Sequence, residues 1–260
     1  MWPCHLHLRF ALTVLAACTG IVASSNSSCP PGQGGAECAL SARTIFFEHE
    51  PYKDLILRTK DLAGWSPSHE VYDQACELVN ATVIVEVGVW KGVSAAHLAH
   101  YLKRQGRGVL FAVDTWTGAL EFWTRHISNG QYDESRDLRL RHGYPSVYLT
   151  FLSNMVHEEL QEYVVPFPVT SRLAAEFFER KSLQADLIHI DAAHEYDDVR
   201  EDILRWWPLL RPCGLLLGDD YIGGWPGVIK ASQEFAQNQS LQLEVEGVKW
   251  KIRKGVNCTA

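Results

Sequence analysis

The sequence predicts an α/β domain built on a mostly parallel sheet with helices on both faces. Three observations carry this. Short apolar runs alternate with longer helical patterns, the signature of strand–helix–strand units. The runs are almost continuously hydrophobic, as strands buried on both faces must be. The last two strand patterns, Leu241 to Glu246 and Val248 to Arg253, alternate around Gly247 and read as a terminal antiparallel hairpin.

The elements follow in order. Ser68 to Val79 carries Val71, Tyr72, Ala75, Leu78 and Val79 at helical spacing. Strand one is Thr82 to Val87. A helix over Ser94 to Arg104 ends before Gln105-Gly106-Arg107-Gly108, and strand two is Val109 to Asp114. Residues 115–145 break the rhythm with Trp116, Phe122, Trp123, Tyr132 and Tyr144. Two readings stand there: a substrate lid, or an aromatic cluster packed on the sheet. Pro145 to Tyr163 reads as helix, Val164 to Thr170 as strand three and Ala174 to Arg180 as a short helix. Leu187 to Asp191 is strand four. The amphipathic stretch Tyr196 to Trp207 stops at Pro208 and Pro212. Gly214 to Asp219 is strand five, and Gly227 to Ala236 is the last helix. With the hairpin this makes a seven-stranded sheet.

At 260 residues and 47% hydrophobic composition the chain has ample material for one core. The formal net charge of −7 and the lack of a basic stripe exclude a phosphate-backbone partner, so no nucleic acid is expected. Residues 1–24 have the layout of a secretory signal peptide: a short, mildly basic start, the apolar run Phe10 to Ala23, then small residues. Two alternatives place the chain at a membrane, an uncleaved anchor or a lipidated Cys18 after Leu15-Ala16-Ala17. No later segment is long enough to span, so the mature chain is expected to have no stable membrane span. Residues 25–44 read as a Ser/Gly/Pro-rich linker, and residues 45–260 as the domain. Cys29 and Cys38 flank a flexible loop that a disulfide can close in an oxidising compartment. Without a C-x-x-C pair, no zinc site is expected. Asn26, Asn80, Asn238 and Asn257 sit in glycosylation triplets.

The chemistry gathers at the strand ends, where open parallel sheets bind ligands. Glu86-Val87-Gly88-Val89-Trp90-Lys91-Gly92 lies between strand one and its helix. Its glycines allow close approach of a ligand, but the spacing is not the dinucleotide fingerprint, which counts against nicotinamide and flavin enzymes. Asp114 closes the next strand, where an acid accepts the hydroxyls of a ribose; the structural alternative is a turn cap. Asp191, Asp219 and Asp220 form a second group. Three clustered carboxylates repel unless a cation neutralises them, which suits a hard ion such as Mg²⁺.

With those motifs in place the chain resembles the class I S-adenosylmethionine-dependent methyltransferases, and among them small-molecule O-methyltransferases of the macrocin and catechol type. Residues 45–254 carry the resemblance through Glu86 to Ser94, Val113 to Gly118, Ile188 to Tyr196 and Trp206 to Tyr221. The resemblance implies a Rossmann-like fold and S-adenosylmethionine as cofactor. It implies that Glu86, Gly88 and Ser94 line the methionine end, that Asp114 binds the ribose and that Ser171 sits near the adenine. Gly92, Thr115 and Asp191 complete the cofactor-binding set, with Trp90 and Trp116 as stacking or cation–π partners. It assigns Asp191, Asp219 and Asp220 to the metal.

His194 stands where relatives place a catalytic base, and Ala193 replaces an acidic candidate found in some of them. The reference pKa of an imidazole, near 6.5, suits base work. Cys213 replaces the first glycine of the usual Arg-Pro-Gly-Gly turn. The implied reaction is metal-assisted methyl transfer to a hydroxyl of a small molecule, by a chain that can form a homodimer. The competing readings are a catalytically silent cofactor-binding module and a metal-independent N- or C-methyltransferase.

Overall fold

The computed structural model describes residues 51–64, 69–124, 134–255 and 258. The proposed signal peptide, the Cys29–Cys38 pair, Asn26, Tyr132 and Asn257 lie outside them. The sheet has seven strands in the order β3-β2-β1-β4-β5-β7-β6. These are β1 (Val83–Val87), β2 (Val109–Val113), β3 (Val164–Phe167), β4 (Ala185–Ile190), β5 (Leu210–Gly218), β6 (Glu244–Glu246) and β7 (Lys249–Arg253). The first five pair in parallel; β7 pairs antiparallel with both β5 and β6.

Alternation along the strands splits the core in two. Val85, Phe111, Ile188 and Leu216 face one side. They pack against α6 (Ser171–Arg180), α7 (Tyr196–Trp206) and α8 (Pro226–Asn238). Ile84, Leu110, Leu187 and Leu217 face the other. They meet α1 (His69–Val79), α2 (Val93–Gln105) and α5 (Val147–His157). No described helix is long and apolar enough to cross a membrane.

Boundaries differ from the sequence reading where local chemistry intervenes. Strand three stops at Phe167 because Thr170 caps α6, its hydroxyl accepting from Leu173 N at 3.2 Å, so the helix begins at Ser171. α5 is shorter than expected at both ends. Strand five starts earlier, at Leu210, across a register shift opposite Ala185 and Leu187. Cys213 lies there with φ of 63°, which explains why glycine suits the position. It is joined to Cys258 by a disulfide that ties the C-terminal end to β5.

The aromatic stretch after β2 contains two short helices, α3 (Leu120–Thr124) and α4 (Glu134–Asp137). Its residues have opposite fates. Trp116 and Leu138 are buried, whereas Trp123 and Tyr144 are exposed. At the far end of the sheet, Asp186 clamps strand starts together. Its carboxylate accepts from Thr82 N, Thr82 Oγ1, Val83 N and Arg211.

Candidate active site

Register sets the site. Val113, Val87, Ile190 and Gly218 are successive partners across β2, β1, β4 and β5. The residues that follow them, Asp114, Gly88, Asp191 and Asp219, therefore form one row along the carboxyl edge. β1 is where the chain's winding reverses, the usual place for a ligand crevice.

On the β1–β2 side, Asp114 shapes the loop after β1. Its Oδ2 accepts from Val89 N at 2.8 Å and Trp90 N at 2.9 Å, and its Oδ1 from Trp116 N at 2.6 Å. The capping role is thus real, and Oδ1 keeps a lone pair for a further donor. Thr115 bonds Thr117 through their hydroxyls at 2.7 Å. Trp90 has φ of 52°, packs on Phe122 at 4.8 Å and keeps a buried indole N–H without an acceptor among the described residues. A buried donor of that kind is what a bound ligand satisfies.

Lys91, buried, holds the loop from behind through Asp61 at 3.0 Å and Asp137 at 2.7 Å. The insertion is thereby anchored to the loop after β1.

The structure sets several of the expected cofactor residues against protein atoms. Chain packing requires both glycines. A Cβ on Gly88 would lie 1.9 Å from the Asp191 carbonyl, and one on Gly92 would lie 2.7 Å from the Phe151 ring. Trp116 belongs to the core: its ring packs on Tyr148 and Phe151, and its N–H donates to Trp90 O at 2.7 Å. Ser171 is turned inward, donating to Asp202 and accepting from Trp206 Nε1 at 2.9 Å.

Glu86 is fully buried rather than lining an open crevice. It meets His189 Nδ1 at 3.1 Å, with Ser94, itself buried, beside it. Burial pushes its carboxyl up to about 8, and Ser94 and Lys249 offset only part of this. Burial pushes His189 down to about 3, so this imidazole is neutral.

On the β4–β5 side the three aspartates separate. Ligand atoms of His189, Asp191 and Asp219 lie within 4.8 Å of one another, and Asp220 is outside that group. Asp219 takes the α1 face, where Lys249 of β7 donates to it and to Tyr72 Oη at 2.7 Å. Lys249 is 2% exposed. Asp220, at φ of 60°, turns away to His194, with 2.9 Å between Oδ2 and Nε2. Burial first, then Asp219, pushes Asp191 well above the usual carboxylate range.

The His194 ring stacks on Trp225 at 4.0 Å. Asp191, Ala193, His194, Asp219 and Asp220 border a small cleft open to solvent. The expected three-aspartate Mg²⁺ site does not fit this arrangement. One of its ligands is committed to His194, and an ammonium already sits on another.

Sequence reasoning passed over Lys249, Tyr72, His189 and Trp225. Lys249 alternates with apolar Trp250 and reads as an outward polar residue of a hairpin.

A family model described as "Methyltransferase domain" matches residues 85–221. The chain belongs to that family. Solved structures share the methyltransferase's fold. The O-methyltransferase NovP is 16% identical with a TM-score of 0.53, over 72% of this chain and 78% of its own. The O-methyltransferase TomG from Streptomyces achromogenes, solved with SAM, is 13% identical with a TM-score of 0.51, over 85% and 97%. The calicheamicin methyltransferase CalS11 is 18% identical with a TM-score of 0.51, over 73% and 78%. A comparison with curated proteins finds no match to this methyltransferase.

Proposed function

We propose that this methyltransferase moves a methyl group from S-adenosylmethionine to a hydroxyl of a small molecule. The observation that carries the reading is the single row of Gly88, Asp114, Asp191 and Asp219, with the His194–Asp220 pair at its far end. Solved neighbours bearing the name O-methyltransferase, one of them in complex with SAM, support it. S-adenosylmethionine supplies an electrophilic methyl when bound.

The residues that would hold it are those of the β1 and β2 ends. Asp114 offers its remaining lone pair to a ribose hydroxyl, and the Trp90 N–H offers a donor. Asp220 holds the His194 ring through Nε2. The imidazole takes the proton of the acceptor hydroxyl as its oxygen attacks the methyl carbon and S-adenosylhomocysteine leaves. Trp225 fixes the ring plane, and Asp220 stabilises the imidazolium that forms. Trp123 and Tyr144, exposed on the anchored insertion, are apolar surface for covering an acceptor.

The Cys213–Cys258 disulfide supports a second element of the reading, that the chain works in an oxidising, secretory compartment after loss of residues 1–24.

The test is a calorimetric titration of the purified chain with S-adenosylhomocysteine, then transfer of labelled methyl to a panel of phenols, sugars, polyketide-like alcohols, amines and carbon nucleophiles. Stoichiometric binding with transfer to oxygen is expected. Absence of binding rejects the cofactor. Binding with transfer only to nitrogen or carbon acceptors rejects the hydroxyl.

A further inference from the structure

We propose that the ammonium of Lys249 is this enzyme's resident cation, standing where the family resemblance predicts a divalent metal, and that methyl transfer here is metal-independent. Four observations on the molecule bear on this.

The first is position. Gly218 pairs with Trp250 across β5 and β7, so the next residues along, Asp219 and Lys249, stand side by side. Their side chains form an ion pair on the α1 face. The second is confinement. Lys249 is 2% exposed, and its Nζ is held by Asp219 and by Tyr72 Oη at 2.7 Å, 4.9 Å from the Tyr72 ring centre. β7 cannot draw it aside. A Cβ on Gly218 would fall 2.0 Å from the Trp250 ring, and Trp250 Nε1 donates to Asp219 O at 3.2 Å. The strand therefore lies as close to β5 as a side chain allows.

The third is the division of the aspartates. Asp219 is neutralised by Lys249, and Asp220 is spent on His194. The clustering that called for an external cation in the sequence is relieved in part inside the fold: two of the three carboxylates already have a partner, and Asp191 still faces Asp219. The fourth is electrostatic. A dication shared by Asp191 and Asp219 would sit beside a buried ammonium, and like charges in such surroundings repel strongly. A buried lysine that loses its carboxylate partner to a metal is itself left uncompensated.

The consequence for the reaction rests on the methyl-transfer reading. With no Lewis acid on the acceptor oxygen, its proton must leave through His194 and Asp220. The metal-exclusion claim itself does not depend on that reading, and the experiment separates the two. Mn²⁺ binding is measured by electron paramagnetic resonance, and Mg²⁺ binding by calorimetry, on the wild-type chain, Lys249→Met, Asp219→Asn and the double variant Lys249→Met/Asp219→Asn. Circular dichroism checks each fold.

The wild type is expected to show no stoichiometric site for either ion. Folded Lys249→Met is expected to gain one, with Mn²⁺ affinity raised about tenfold or more once the like charge is gone. The gain should vanish in the double variant. Stoichiometric wild-type binding that Asp219→Asn removes would overturn the proposal. So would a folded Lys249→Met that gains nothing. If Lys249→Met does not fold, the wild-type titration alone decides. With an acceptor in hand, turnover in excess chelator should equal that in Mg²⁺, and collapse of turnover on chelation overturns metal independence. A chain that turns over nothing fails the methyl-transfer reading while leaving the metal titration intact.

Discussion

Replacing Glu86 by glutamine should make the protein more stable at neutral pH and should remove one proton from its pH dependence. Glu86 lies inside β1 with no exposed surface. Its folded pKa is pushed up from 4.5 to about 8, first by burial. A carboxyl raised on folding favours the native state while it is protonated. Its contribution is complete below the unfolded value and is lost as pH rises through the folded one. Each unit is worth ~1.4 kcal/mol, so raising the pH from about 4.5 to about 7 should cost the wild type on the order of 3 kcal/mol at this site.

Glutamine has the same shape, keeps a polar contact for His189 Nδ1 and does not ionise. The two proteins should be equally stable, within about 1 kcal/mol, near the unfolded pKa. The variant should lead increasingly toward pH 8. Urea unfolding of both proteins across that range measures the difference directly. A difference that stays flat with pH, or a glutamine variant that loses stability as pH rises, refutes the assignment of Glu86 as a buried, proton-retaining carboxyl.

Other outcomes follow from the same geometry. Gly88→Ala should disrupt the β1–β4 approach, because its Cβ would enter the Asp191 carbonyl, and should cost about 2–4 kcal/mol by thermal unfolding together with cofactor affinity. A wild-type-like Tm would show that the two strand ends part easily. His194→Ala should lower kcat by roughly 10²–10⁴-fold while S-adenosylhomocysteine affinity holds, since the ring lies on the Asp220 side of the cleft; unchanged kcat would remove it from proton transfer. Cys258→Ser should destabilise the oxidised protein by about 4 kcal/mol, the chain-entropy value for a 45-residue separation, and should leave the reduced protein unaltered. Equal melting of oxidised and reduced wild type would contradict this.

The strand–helix order, the terminal hairpin and the acidic strand ends were legible in the sequence because they are local. Apolar runs flanked by turn residues become strands in almost any context, and Asp114, Asp191 and Asp219 follow their strands directly. The disposition of those groups was not legible. Adjacent residues leave a strand on opposite faces, so Asp219 and Asp220, inseparable on paper, meet different partners 30 and 26 residues away. Gly88 and Gly92 have the composition of a ligand-binding turn, but only the packed sheet and α5 show that they accommodate protein atoms. Cys213 looked like a lost glycine until the fold brought Cys258 within reach. Lys249 is the clearest case. Its sequence neighbours make it a surface residue of a hairpin, yet the antiparallel pairing of β7 with β5 lays it against Asp219 under α1. Local patterning alone places these charges at the carboxyl edge of the sheet. Tertiary structure decided which of them are already paired, because a charge's partner is set by strand order and register rather than by its neighbours in the chain.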